Sequence, residues 1–224
     1  MNILVVGFQR SGTTLLRRLL QLHPQVRRIY HENFLLKICK DKQTLIQFVE
    51  NRGIDVTKDN WGEKVPYFPS ARKFPIIKYC EKWNKFFNSK SRILHIIRHP
   101  YDVAVSNVNK FKYIKNLEQP IRTYKGIVPV ATKKIMKMNN TYTFKYEDLL
   151  INPDDMLFKI YKHCGLKPDI NFRKKMRTIK NRKYQKIDPS RAFAYKKEQK
   201  LNFDFDLDCV FDILNEIDGV KYDK

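Results

Sequence analysis

The sequence predicts a single α/β domain in which a largely parallel sheet is flanked by helices. Three observations predict it. Short β-type runs recur along the chain, each is followed by a segment of helical character, and the first two runs, ILVVG and ILHII, are almost continuously apolar. A strand covered by helices on both faces has no side to show to water, so it loses the alternation of a half-exposed strand.

The first strand is expected over Ile3 to Gly7, with the helix Thr13 to Gln21 behind it. Val26 to Tyr30 reads as another short strand. Phe34 to Glu50 and Lys73 to Phe87 carry apolar residues at helical spacing, which makes the stretch of about 34–90 a helical insertion or cover. Arg92 to Ile97 is the next strand, followed by a helix over Tyr101 to Phe111. Tyr142 to Lys145 is a third strand of the same rhythm, followed by Glu147 to His163 as helix. Beyond Pro168 the composition turns loop-like and basic, and a mobile basic loop is expected over about 173–203. Asp206 to Ile217 again suits a helix. No repeat or low-complexity tract interrupts the chain, so residues 1–224 are expected to form one domain.

The 224 residues include 45 Lys plus Arg against 23 Asp plus Glu, a net charge of +22. With 42% hydrophobic and 13% aromatic residues the chain can bury a core, which sets it apart from disordered polycations. Its longest apolar runs are five or six residues, as in Ile3 to Phe8, far short of the roughly 20 that span a bilayer. No leader pattern opens the chain, and Cys39, Cys80, Cys164 and Cys209 are widely spaced without a C-x-x-C. A reducing cytoplasm is the expected compartment. The charge points to an anionic partner: a nucleic acid, a membrane surface or a phosphorylated small molecule.

Gly7-Phe-Gln-Arg-Ser-Gly12-Thr13-Thr14 follows the first strand and opens a helix. Its framework is that of a P-loop, two glycines four residues apart and then a hydroxyl residue, but Thr13 stands where a nucleotide-hydrolysing loop has Lys. The cation has moved to Arg10. A glycine-rich turn feeding a helix N-terminus offers backbone N–H groups and the positive end of the helix dipole to a phosphate without any lysine. An ordinary strand-to-helix turn would also need glycines; the placement, the paired threonines and Arg10 favour the anion site.

The strand Arg92 to Ile97 runs into Arg98, where a nucleoside-triphosphatase has an acid that helps to hold magnesium. An arginine there is an anion ligand. Ser106 lies eight residues on, in the following helix and facing the same crevice, and Pro100 suits that helix's first turn.

These residues resemble the sulfotransferase family that uses 3′-phosphoadenosine 5′-phosphosulfate (PAPS). Gly7 to Leu15 is similar to its 5′-phosphosulfate loop, and Arg98 with Ser106 to its 3′-phosphate motif. Arg-Ser-Gly-Thr-Thr-Leu-Leu followed by His23-Pro24 is closer to the tyrosylprotein and the bacterial or carbohydrate-type members than to the cytosolic small-molecule group. Trp61-Gly-Glu-Lys64-Val-Pro66 and Tyr146-Glu-Asp-Leu-Leu resemble two further family segments, with Val65 replacing a Thr.

The resemblance implies a P-loop-type fold and transfer of a sulfuryl group from PAPS to a hydroxyl or amine, leaving 3′,5′-ADP, with no metal expected. It implies that Arg10, Ser11, Gly12, Thr13 and Thr14 hold the 5′ end, that Arg98 and Ser106 hold the 3′-phosphate, and that Tyr146 contacts adenine. Lys64 would reach the bridging oxygen with Arg10. Glu32 is the first candidate for the base that takes the acceptor proton and His31 its competitor, histidine being usual in the cytosolic branch. An unperturbed glutamate, near pKa ~4.3, would need burial or hydrogen bonding to serve well. In the basic loop, Ser190-Arg191 or Tyr195-Lys196 would close over the 3′-phosphate; Arg182, Lys183, Tyr184 and Lys186 belong to the same stretch.

Two other classes fit parts of the sequence. A P-loop kinase acting on a small molecule conflicts with Thr13 and Arg98, and a non-enzymatic nucleic-acid binder leaves the loop geometry unexplained. Lys37, Lys40, Lys42, Lys110, Lys112 and Lys115 hint at an acidic acceptor such as a glycan or peptide. The oligomeric state is open.

Overall fold

In the computed structural model, which describes residues 1–67, 75–111, 114–167, 187–197 and 205–222, five parallel strands form one sheet in the order β2-β3-β1-β4-β5. They are β1 (Asn2–Phe8), β2 (Val26–His31), β3 (Asn60–Tyr67), β4 (Ser91–Ile97) and β5 (Thr141–Lys145). β1 is the axis of the sheet, with Val5 aligned to Lys64 on β3 and to Leu94 on β4. All seven of its residues are buried. Ile3 and Val5 face one layer, with Leu16, Leu20, Leu94, Phe144 and Ile160. Leu4, Val6 and Phe8 face the other, with Trp61, Val65, Trp83, Tyr124 and Val128, as the two-residue period of a pleated strand requires.

Helix α1 (Thr13–Gln21) lies where the sequence puts it. Leu15, Leu16, Leu19 and Leu20 form its buried stripe, one and four residues apart, and Arg17 and Arg18 stay on the outer side. α5 (Pro100–Lys110) starts with Pro at its first position, has Asp102 in its first turn and ends on Lys110, a charge order that suits the helix dipole.

Elsewhere the sequence reading needs correction. The cover expected over 34–90 is not helical throughout, because β3 runs through its middle and enters the sheet between β1 and β2. Trp-Gly-Glu-Lys-Val-Pro lacks the apolar pattern of a buried strand, so nothing local announces it. Gly62 explains the composition: a Cβ there would overlap the carbonyl oxygen of Ile3. The helix expected over Phe34 to Glu50 is two, α2 (Leu35–Ile38) and α3 (Lys42–Glu50). Asp41 separates them, its carboxylate accepting from Thr44 N–H at 2.8 Å to cap α3. α4 (Ile76–Phe87) is the described part of the Lys73 to Phe87 helix; Lys73 and Phe74 lie outside the described residues.

A further helix, α6 (Glu118–Met136), which the sequence pattern does not announce, buries Ile121, Tyr124, Val128 and Ile135 despite Pro129 within it. Glu147 to His163 divides at Asn152-Pro153 into α7 (Tyr146–Ile151) and α8 (Pro153–His163), since proline cannot supply the N–H that a continuous helix needs. The last helix, α9, is Asp208–Asn215. Of the expected basic loop, 187–197 contains two 3₁₀ turns, Pro189–Arg191 and Ala194–Lys197, while 173–186 and 198–203, with Arg182, Lys183, Tyr184 and Lys186, lie outside the described residues, as does Lys112. Among the described residues no helix is long and apolar enough to cross a membrane.

Because the Gly62 position meets backbone rather than a movable side chain, Gly62→Ala should cost about 3 kcal/mol of unfolding free energy or more, measured by urea denaturation. A loss under about 1 kcal/mol would mean that β1 and β3 separate more easily than this register implies.

Candidate active site

In an open parallel sheet the crevice for ligands lies beyond the carboxyl ends of the strands, where the strand order reverses. Here that place is the end of β1 and β4, and the loop Gly7 to Thr14 occupies it. Gln9 N–H donates to Tyr67 O at 2.9 Å and Ser11 N–H to Phe8 O at 3.0 Å, which curls the backbone back on itself. Arg10 (φ 70°) and Gly12 (φ 96°) both take the left-handed conformation. At Gly12 a side chain is excluded twice, since its Cβ would also overlap the Tyr146 ring. α1 then begins at Thr13 with no side chain capping it. Ser11 Oγ is buried and has no hydrogen-bond partner among the described residues.

Arg98 follows β4 and is 9% exposed. Its guanidinium donates to Arg10 O and to Arg191 O, each at 3.3 Å, stands 3.5 Å from an Asp102 oxygen and lies 4.5 Å above the Tyr146 ring. Its Nε is buried and has no hydrogen-bond partner among the described residues. Arg10 Nε donates to Ser106 Oγ at 2.9 Å, so the loop and α5 meet through those two side chains. Between them lies a cavity of about 290 Å³ lined by Arg10, Arg98, Asp102, Ser106, Lys110 and Ala194. The structure thus gathers Arg10, Arg98, Ser106 and Tyr146. Arg191 reaches the group through its carbonyl, while its Nε stands 3.9 Å from Asp188.

Asp102, which the sequence reading passed over, ties the site to the segment 187–197. Its Oδ1 accepts from Tyr195 N–H at 2.8 Å. The Tyr195 ring stacks on His99 at 4.4 Å, and Tyr101, Phe193, Phe211 and Tyr222 surround the same imidazole. Burial, helped by Lys196 and Arg98, lowers the His99 pKa to about 3, so this ring is a neutral packing element.

A second cluster stands where β2 ends, beside the middle of β3. Lys64, almost wholly buried, contacts the Glu32 carboxylate directly and lies 3.4 Å from Thr14 Oγ1. Burial lowers the Lys64 pKa and Glu32 opposes the shift. The β2–β3 pairing extends to this point, with Glu32 N–H donating to Lys64 O at 3.0 Å. His31 is exposed and lines a different cavity, with Arg17 and Arg28. Burial, then Lys64, lowers its pKa. The fold therefore brings Glu32, Lys64 and Thr14 together and turns His31 away.

A family model described as the sulfotransferase domain matches residues 1–206. The chain belongs to the sulfotransferase family. Two solved structures share its fold: the sulfotransferase domain from the curacin biosynthetic pathway (18% identity, 96% of each chain covered, TM-score 0.66) and the sulfotransferase domain from the Synechococcus PCC 7002 olefin synthase (15% identity, 96% of this chain and 94% of that one, TM-score 0.67). No curated protein sequence matches it. Family membership makes the chain a sulfuryl-transferring enzyme and sets aside the kinase and nucleic-acid readings. PAPS is the donor that the family uses.

Two buried carboxyls support this sulfotransferase's site from behind. Glu63, next to Lys64 on β3, accepts from Leu35 N–H at 3.1 Å and from the Tyr79 hydroxyl, fixing the start of α2 just after Glu32. Glu147 accepts from His99 N–H at 3.0 Å and from the Tyr222 hydroxyl at 2.7 Å, fixing the turn after Arg98. Burial raises both pKa values to about 7. Both residues sit inside segments that the resemblance singles out, but a glutamate in a motif does not say which way it points.

The Glu63 shift has a thermodynamic signature. A carboxyl whose folded pKa is raised binds more protons folded than unfolded, so its contribution is complete below the unfolded value and is lost as the pH rises through the folded one. Relative to Glu63→Gln, the wild type should therefore lose stability as the pH rises from 4.5 to about 7 and change little above that, in paired denaturation curves. A pH-independent difference between the two proteins would show that Glu63 has the same pKa folded as unfolded.

Proposed function

We propose that this sulfotransferase takes PAPS as its donor, with the 5′-phosphosulfate in the loop Arg10, Ser11, Gly12, Thr13 and Thr14 and the 3′-phosphate against Arg98 and Ser106. One observation carries the reading: two cationic cradles share a wall, because Arg98 donates to the backbone of Arg10 while the Arg10 side chain donates to Ser106. A nucleotide with phosphates at both ends of one nucleoside needs two anion sites at that kind of separation. Ser11 Oγ and Arg98 Nε, buried and without a hydrogen-bond partner among the described residues, are donors suited to such a ligand. Tyr146, packed on Gly12 and beneath Arg98, offers a ring beside adenine, and Arg191 brings the 187–197 segment over the 3′ side.

When bound, PAPS supplies the sulfuryl group. Glu32 takes the proton that the acceptor hydroxyl or amine releases as its oxygen or nitrogen bonds to sulfur. Lys64 and Arg10 meet the charge that the departing phosphate oxygen gains as the S–O bond breaks, joined by the N–H groups at the start of α1. Lys64 is placed for this, since it contacts Glu32 and lies 3.4 Å from Thr14 Oγ1 in the loop. No metal enters this scheme, because cationic side chains stand at each place where charge develops. We further propose one catalytic domain over the whole chain, acting in the cytoplasm, where its four free thiols suit reducing conditions. The acceptor is read as an acidic glycan or peptide; of the lysines behind that reading, Lys110 lines the Arg98 cavity and Lys37, Lys40, Lys42 and Lys115 are exposed.

Arg98→Ala should weaken 3′,5′-ADP binding by about 1.5–3 kcal/mol in calorimetric titration, a loss of charge-assisted hydrogen bonds, and leave 5′-AMP nearly unchanged. Equal losses for both nucleotides would assign Arg98 another role.

Glu32→Gln keeps the shape of the side chain and removes its basicity, so turnover should fall about 10²-fold or more with PAPS affinity near wild type. His31→Asn should cost far less. An active Glu32→Gln enzyme beside an inactive His31→Asn one would transfer the role to His31.

A further inference from the structure

A second cationic cavity adjoins the Glu32 side of the site. It measures about 410 Å³, lies between the outer face of α1 and the free edge of β2, and is lined by Arg17, Gln21, Arg27, Arg28, His31 and Asn33 among others, with no carboxylate among its lining residues. Its arginines are placed by backbone geometry rather than by chance crowding. In a regular strand Arg27 and Arg28 would point to opposite faces, but the β2–β3 register shifts between Val26 and Arg28, and both are exposed. Bulges at sheet edges commonly re-aim side chains in this way. Arg28 lies 4.9 Å over the Tyr30 ring. Arg17 is held by Ile29 O at 3.2 Å and Gln21 Oε1 at 2.6 Å, and its Nε is buried with no hydrogen-bond partner among the described residues.

The cavity is continuous with the reacting centre in both chain and charge. His31 and Asn33, on either side of Glu32, both line it. The Arg17 charge acts on Lys64 and on His31, and Glu32 acts on Arg17. Gathering three guanidiniums costs electrostatic energy, which an anion between them would offset.

We propose that this cavity is an acceptor subsite for an anionic group, a carboxylate, sulfate or phosphate, carried close to the hydroxyl that becomes sulfated. The proposal rests on the sulfuryl-transfer reading above and adds a location and residues to the acceptor's charge. Arg27 and Arg28 would recognise the group by paired N–H donors, with Arg17 fixed behind them, while the neighbouring hydroxyl faces Glu32. The same geometry places a like-charged repulsion against cationic acceptors, so the subsite selects as well as binds.

The test titrates the full chain saturated with 3′,5′-ADP against two matched pairs of probes. One pair is a hexapeptide with a tyrosine flanked by glutamates and its glutamine counterpart; the other is a uronic-acid tetrasaccharide and its carboxyl-reduced counterpart. At least one acidic probe should bind about tenfold or more tighter than its neutral counterpart, and the pair that does so names the source of the anion. Arg27→Gln/Arg28→Gln should cut that preference about fivefold or more with nucleotide affinity unchanged. Absence of any preference in the wild type, or a preference undiminished in the variant, overturns the proposal. Nucleotide binding is read in the same experiment: its absence in the wild type overturns the donor reading and this proposal with it, whereas nucleotide binding without charge preference overturns the subsite alone.

Discussion

A guanidinium almost withdrawn from water must find its partners inside the protein, and Arg98 finds them in four separate parts of the chain. They are the loop after β1 through Arg10 O, α5 through Asp102, the start of α7 through the Tyr146 ring, and the segment 187–197 through Arg191 O. Its own carbonyl accepts from the Tyr124 hydroxyl of α6 at 2.6 Å. Breaking any one of these contacts leaves a buried charge less satisfied, so the elements are held in a common arrangement by the cost of desolvating one ion. Two of these partners are carbonyls and a third is a ring face, and among the described residues Asp102 is the one carboxylate within 4.0 Å of the guanidinium.

The rest of the site shows the same exchange of stability for placement. Glu63 and Lys64 within β3 and Glu147 just after β5 are buried ionisable groups, and their pKa values are displaced by burial in the direction that disfavours charge. Arg10, in the loop after β1, and Glu32 and Phe34, just after β2, hold positive φ without being glycine. Left-handed backbone at such residues is costly and persists where the surroundings over-determine it. Those surroundings are the all-buried β1 and the two apolar layers around it, which lend the site the rigidity that in-line transfer between fixed groups needs.

The net charge of +22 is better understood once its placement is known. Arg10, Arg98 and Lys110 face one cavity, Arg17, Arg27 and Arg28 face another, and Lys64 lies near the second. Positive groups lining concave surfaces focus potential and steer anions inward, an effect that weakens as salt shortens the Debye length. The same field would favour both the proposed polyanionic donor and the proposed anionic group of the acceptor.

Local sequence suffices for the pieces whose conformation depends on near neighbours. The run into Gly7, the turn through Gly12 and α1 are local, as are Arg98 at a strand end and Ser106 two helical turns behind it, and each was legible from spacing and residue type. What tertiary structure alone decided are matters of which side faces what. β3 could not be read from Trp-Gly-Glu-Lys-Val-Pro, because Gly62 is there for the carbonyl of Ile3, a residue remote in sequence. Glu32 and His31 are adjacent, and residue type alone leaves His31 a competitor of Glu32 for the base; the pleat and pairing of β2 with β3 send Glu32 to Lys64 and His31 to the arginine cavity. Asp102 and Glu63 gained their roles from partners 93 and 28 residues away. Periodicity and turn chemistry are written in consecutive residues, whereas burial of a charge is settled only when the chain has closed around it.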